Sequence, residues 1–344
     1  MRLSVPLLTL PRIFFCASLA FCSAHAQSSW HVERTLQIGG AGGMDYLTVD
    51  PATHRLYVPR STHTLVLDAN SGATIADIPG QKIAHGVAIV PKLNRGFITD
   101  GGGAGSITIF DLKTNAVLGV LTAQPDADGI IYDAGSDRIL VSAGDSNSLI
   151  TFKPDIDAKS GTIESPIPLG GAPEFLAADG AGKVFVNLED KDTVAVVDLK
   201  SRKVVARWPV APGGAPVGMA IDREHHTLII GCRKPQKMIV MSAESGKVMS
   251  DLPIGAGVDA TGVFGSEAFA SSGDGTLAVA KRSADGTFEL AQSVKTGFGA
   301  KTLGIDSSTG KVYLPTSDYE EPKPGATGRP KAKPGTFKIL VVSR

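Results

Sequence analysis

Cysteine is nearly missing from the part of the chain that can fold. Of the three cysteines, Cys16 and Cys22 fall in the first 26 residues, which leaves Cys232. One thiol cannot close an internal disulfide, so stability has to come from packing. Excess charge is missing too: 34 basic residues balance 34 acidic ones. That removes the electrostatic ground for nucleic acid or an anionic membrane as main partner. Aromatics make up only 6%, with two Trp and five Tyr, too few for a base-stacking platform. Helix-favouring runs are hard to find. What is present in quantity is Gly, at 40, and Pro, at 21, which suits a β-rich chain with many turns.

The first residues read differently from the rest. Arg2 and Arg12 flank an apolar stretch, Ile13–Phe21, and "SAHAQ" follows with small residues at Ala24 and Ala26. This is the pattern of a secretory signal cleaved after Ala26, giving a periplasmic or secreted protein. The apolar run falls short of the ~18 residues of a transmembrane anchor, and no second run appears later. Phe21 stands where a lipoprotein signal needs a small residue before Cys22. Residues 27–344 are then expected to form one domain and to act as a monomer. Cys232, at the end of "TLIIGC", is read as a strand-end packing residue rather than a reactive thiol.

The remaining chain repeats itself. "LTVDPATHRLYV" (47–58) is echoed at 87–98, 130–141, 176–186, 219–230, faintly at 262–270 and finally at 303–314. Taking Asp50, Val90, Asp133, Asp179, Asp222, Gly265 and Asp306 as equivalent, the spacing is 40 to 46 residues. Each echo is two alternating β-runs around a polar turn, followed by a second hairpin such as "TLVLDANSGATIADI" or "SITIFDLKTNAVLGVL". Four strands per period of this length predict β-propeller blades, and seven anchors predict seven blades. The last unit supplies "FKILVVSR" (337–344) as its third strand and then ends. "VERTLQIGG" (32–40) has the form of a closing fourth strand, so the two ends are expected to pair and close the ring.

These units resemble the YVTN-repeat propellers, including the YncE-like exported bacterial proteins. Tyr57-Val58 and Tyr313-Leu314 keep the L/V-Tyr-Val signature, and "VAVVDLKSRKVV" (194–205) keeps the strand before a Thr-Gly-type turn. The resemblance implies the fold and little about function, because that family is defined by its scaffold. Its YncE-like members bring in single-stranded nucleic-acid binding as a remote alternative, against which the neutral charge and sparse aromatics count.

Candidate chemistry is sought where innermost strands begin. Five residues before each anchor stand Asp45, His85, Asp128, Glu174, Val217, Ala260 (with Asp259 adjacent) and Lys301. Five of these seven are ionisable, against a background of Val, Ile, Ala and Leu. Asp45, His85, Asp128 and Glu174 could hold a divalent metal such as Ca or Zn. His85 or Glu174 could serve as acid or base, with Lys301 on an anionic group; a merely wet, polar rim is the plain alternative. The loops between second and third strands face the same side and add Arg60, His63, Asn187, Arg233 and Tyr319. Arg60 and Arg233 could clamp a carboxylate or phosphate in a fork. A Pro- and Lys-rich insertion, 319–336, lies on that side; another, 153–166, lengthens a hairpin on the opposite face. "GGAGG" (39–43) and "GGGAG" (101–105) have no following helix and read as turns. The expectation is a binding or scaffolding protein of the cell envelope for a small molecule or envelope protein. A metal-assisted hydrolase or lyase, architecturally like the propeller lactonases, is the alternative.

Overall fold

The computed structural model describes residues 1, 3, 29–321 and 330–344. The expected signal segment lies almost wholly outside the described residues, as does the middle of the 319–336 insertion. The described chain is all-β apart from single 3-10 turns at Pro91–Leu93 and Glu189–Lys191. Among the described residues no helix is long and apolar enough to cross a membrane.

Strands are antiparallel and, except for the first, pair with their neighbours in sequence. Five sheets have four strands each, and a sixth has seven. The seven-stranded sheet arises because strand Thr74–Val90 serves two meanders: its first half pairs with Ser61–Asp68 and its second with Arg95–Asp100. The repeat led to separate four-strand units here. Extended backbone running on through Gly80 (φ 100°), a conformation open to glycine, fuses the two. At the other end, His31–Gln37 pairs with Lys338–Ser343, so the N-terminal strand does complete the last sheet.

The repeated aspartates explain why the chain turns where it does. Asp50 accepts from the Ala52 amide (3.0 Å) and the Thr53 hydroxyl (2.6 Å). Asp133 does the same for the Ser136 amide (2.9 Å) and Asp306 for the Ser308 amide (2.8 Å). In the second hairpins, Asp68 and Asp111 accept the amides of Ser71 and Thr114, each at 2.7 Å. A short acceptor side chain that folds back on its own backbone specifies a tight turn better than any apolar residue can.

Between turns, the inner strands bury consecutive residues, alternate ones on each face. Leu56 and Val58 pack with Tyr313, Ile339 and Val341 of the last sheet, while Tyr57, on the other face, packs with Ile98 and Phe110 of the next meander. Each sheet thus buries both faces against its neighbours, which a lone four-stranded sheet cannot do. Near the N-terminus, Trp30 packs edge-on against Phe269 with centroids 5.0 Å apart, and its indole donates to Glu267 at 3.2 Å. Cys232 sits fully buried in this scaffold, and burial pushes its thiol up to about 12. It packs rather than reacts.

Candidate functional site

The innermost strands meet through backbone and short polar side chains that fix the mouth residues in place. The Tyr46 amide donates to the His85 carbonyl at 3.1 Å, and the Ala260 amide to the Lys301 carbonyl at 3.2 Å. Hydroxyls complete the lacing: Thr99 donates to the Asp128 carbonyl (2.6 Å), Ser271 to that of Lys301 (2.6 Å) and Thr302 to that of Asp45 (3.1 Å). Asn187 belongs to this set. It is fully buried and its amide donates to the Val217 and Gly218 carbonyls at 2.9 and 3.0 Å.

On that framework Asp45, His85 and Asp128 converge, with one donor atom from each within 4.8 Å of the others. His85 Nδ1 donates to Asp45 Oδ2 at 2.7 Å and lies 3.4 Å from Asp128 Oδ1; Nε2 is 4.0 Å from Asp126 Oδ1. Asp128 Oδ1 is sealed from solvent and has no hydrogen bond of good geometry. Burial alone would lower the His85 pKa, but the Asp45 hydrogen bond and the Asp128, Asp45 and Asp126 charges outweigh it and raise it to about 9. Desolvation, with Asp45 close by, raises Asp128 to about 7 despite the opposing charge of His85. Three carboxylates around one imidazole leave this arc short of positive charge.

The other arc is a chain of alternating charges. Lys301 and Arg233 both pair with the buried Asp259, and Arg233 reaches on to Glu189 at 3.1 Å. Glu189 shares a hydrogen bond with Glu174, whose pKa rises to about 8 through desolvation first and then through Asp128 and Glu189. Beneath the carboxylates, Tyr46 and Phe175 pack with ring centroids 4.6 Å apart. They border a cavity of only about 70 Å³ between the innermost strands. The tyrosine hydroxyl is pushed well above its ordinary value by burial and the surrounding acids. The site is therefore a charged cup over an apolar floor.

Other residues singled out in the sequence lie elsewhere. Arg60 is buried, its guanidinium 3.6 Å over the Phe337 ring and donating to the Ala41 and Gly42 carbonyls at 2.9 and 3.0 Å. Burial lowers its pKa to about 10. Its role is to gather the 39–43 turn, and Arg233 is engaged by Glu189 and Asp259, so the two form no open fork. His63 is half-buried beside the Thr62 hydroxyl at 3.2 Å, apart from the His85 cluster. Tyr319 packs edge-on against Phe298. Asp126 and Phe298 were not singled out by the sequence at all. Asp126 lies two residues before a repeat position, and Phe298 sits in a glycine-rich turn, so neither has a periodic signal.

No protein-family model and no curated protein matches the sequence. Solved structures do match by shape. The RRP9 WD40 repeats align with a TM-score of 0.73 at 13% identity, covering 91% of this chain and 97% of that one. Hydrazine synthase of Kuenenia stuttgartiensis gives 0.67 at 13% identity over 80% and 92% of the two chains. A chain of the mitotic checkpoint complex gives 0.70 at 12% identity over 89% and 96%. The fold is that of a β-propeller. At such identities the likeness carries the fold alone.

Proposed function

We propose that this chain is an exported binding protein of the cell envelope, built as a closed seven-bladed propeller of the YVTN-repeat kind, that takes its ligand in the charged cup. Counting strand Thr74–Val90 for both its meanders gives seven units. The strand pairing of the chain ends and the Thr302–Asp45 bond favour closure, and the Arg-flanked apolar start favours export. The observation that carries the binding reading is the Asp45–His85–Asp128 cluster. Two carboxylates are gathered there on one imidazole, and one carboxylate oxygen, sealed from solvent, has no hydrogen bond.

A divalent cation fits that donor set: two carboxylates suit calcium, and imidazole with carboxylate suits zinc. A cation would have to displace the proton held by His85, so its affinity should rise with pH. Isothermal titration of the mature protein with CaCl₂ and with ZnCl₂ tests this. One site of micromolar or tighter affinity, lost in Asp45→Asn and Asp128→Asn, is expected. No heat of binding up to millimolar metal at pH 8.5 rejects the cation.

The second reading, a hydrolase or lyase, is favoured by Glu174, a carboxylic acid still protonated near neutrality and hydrogen-bonded to a partner that could receive the proton. His85 and Lys301 would flank it. Turnover of small lactones that vanishes in Glu174→Gln while the fold persists would select this reading. An acid-rich cup repels phosphates, so nucleic-acid binding is not favoured.

A further inference from the structure

Beside the cup lies a second pocket of about 310 Å³, lined by Ala256, Gly257, Gly273, Phe298, Gly299 and Tyr319, with Asp274 at its wall and Lys301 at the side of the cup. It sits at the lower end of the ~300–1,000 Å³ range of small-molecule sites. Phe298 and Tyr319 stand with centroids 5.2 Å apart and planes at 84°, forming a corner that offers one ring face and one ring edge. Phe298 keeps 51% of its surface exposed, unusual for an aromatic in a chain that buries most of its rings. The corner is held rigidly. The Phe298 carbonyl accepts from the Thr316 hydroxyl at 2.7 Å, and the Gly299 amide donates to the Gly273 carbonyl at 2.7 Å. At Gly299 (φ 78°) a Cβ would stand 2.4 Å from the Tyr319 hydroxyl, so only glycine lets the ring close in.

The charges at this pocket favour an anion. Both Asp274 oxygens are spent on donors of the protein: one on the Ala256 amide of the facing loop (2.7 Å), the other on the Thr276 amide (3.1 Å) and hydroxyl (2.7 Å) of its own turn. Lys301 has three N–H groups and a single ion-pair partner among the described residues, Asp259, which also serves Arg233. Two cations thus share the Asp259 carboxylate at this end of the cup. We infer that the Phe298–Tyr319 pocket receives the ring portion of a small organic anion, whose carboxylate or sulfonate is met by Lys301. This inference rests on the reading of the cup face as a ligand site and extends it to the class of ligand.

The probe is 8-anilinonaphthalene-1-sulfonate, which joins aromatic rings to an anionic group, with neutral N-phenyl-1-naphthylamine as its control. Fluorescence titration of the folded mature protein should show one saturable site for the sulfonate. Phe298→Ala, at a half-exposed position that the fold tolerates, should weaken both dyes at least tenfold. Lys301→Met should weaken the sulfonate dye about tenfold and leave the neutral dye within twofold. Unsaturable binding, or titrations unchanged in Phe298→Ala, overturns the pocket. Equal loss of both dyes in Lys301→Met, with circular dichroism unaltered, overturns the anion. Calcium and zinc titrations of the parent protein beside the dye titrations keep the two readings apart. Metal binding without a saturable dye site sinks the pocket alone, and a saturable dye site without metal binding sinks the cation site alone.

Discussion

Two groups of carboxylates in this molecule live opposite lives. Asp68, Asp111 and Asp306 sit at hairpin turns, where amides and hydroxyls of the next residues point at their oxygens. Although burial opposes the shift at Asp306, all three are held below the ordinary carboxylate range. Asp128 and Glu174 sit in the cup, stripped of water and facing other carboxylates, and their pKa values rise to about 7 and about 8. The side-chain chemistry is nearly the same; what differs is whether the surroundings offer donors or like charges. Turn carboxylates stabilise the fold, whereas Asp128 and Glu174 weaken it when they ionise.

Breaking the first group should cost most. Asp133 is fully buried, accepts from Ser136 and pairs with Arg223 at 2.9 Å. Asp133→Ala should lose about 2–4 kcal/mol, since it orphans several donors at once. Chemical denaturation reads this out. Asp68→Ala removes one solvent-facing turn cap and should lose about 1 kcal/mol in the same assay.

The second group should answer with the opposite sign. At pH well below 4 the folded and unfolded chains both carry the protons of Asp128 and Glu174, and the comparison is neutral. As pH rises the unfolded chain releases them first, while the folded chain holds on to about 7 and about 8. Stability should therefore fall through this window. His85 adds the same sign: its contribution is complete below its ordinary value of 6.5 and is lost as pH climbs through about 9. Thermal melts from pH 5 to 9 should show a downward slope. Glu174→Gln, a fixed mimic of the protonated acid, should flatten it and raise Tm at pH 8.5 by roughly 2 °C. A slope unchanged in this variant would mean that Glu174 ionises freely. The smallest effect belongs to His63→Ala, expected within about 0.5 kcal/mol of the parent because its ring contributes to neither group.

Much of this architecture could be read from residue order. The spacing of Asp50, Asp133, Asp222 and Asp306 marks the turns because a short acceptor bonds to amides two and three residues ahead, a local interaction. The unbroken apolar runs "LYV" and "VAVV" mark strands buried on both faces. Asp45, His85 and Asp128 were legible as a group because equivalent repeat positions start equivalent strands. Arg60 and Asn187 misled: both are polar residues in loops or strand ends, and only their neighbours show that their donors are spent on backbone carbonyls. Asp126 and Phe298 gave no signal, having no periodic counterpart.

The sequence by itself determined the repeat, the turns, the all-β class and the pairing of the two chain ends, because each follows from interactions within one period or from a missing strand. Only the tertiary structure decided which charged groups meet. Asp259 between Lys301 and Arg233 joins residues from three periods, while Glu174 against Glu189 and Phe298 against Tyr319 bring together the two ends of a single strand pair. Electrostatic shifts and pocket walls depend on distances between strands that no local rule specifies.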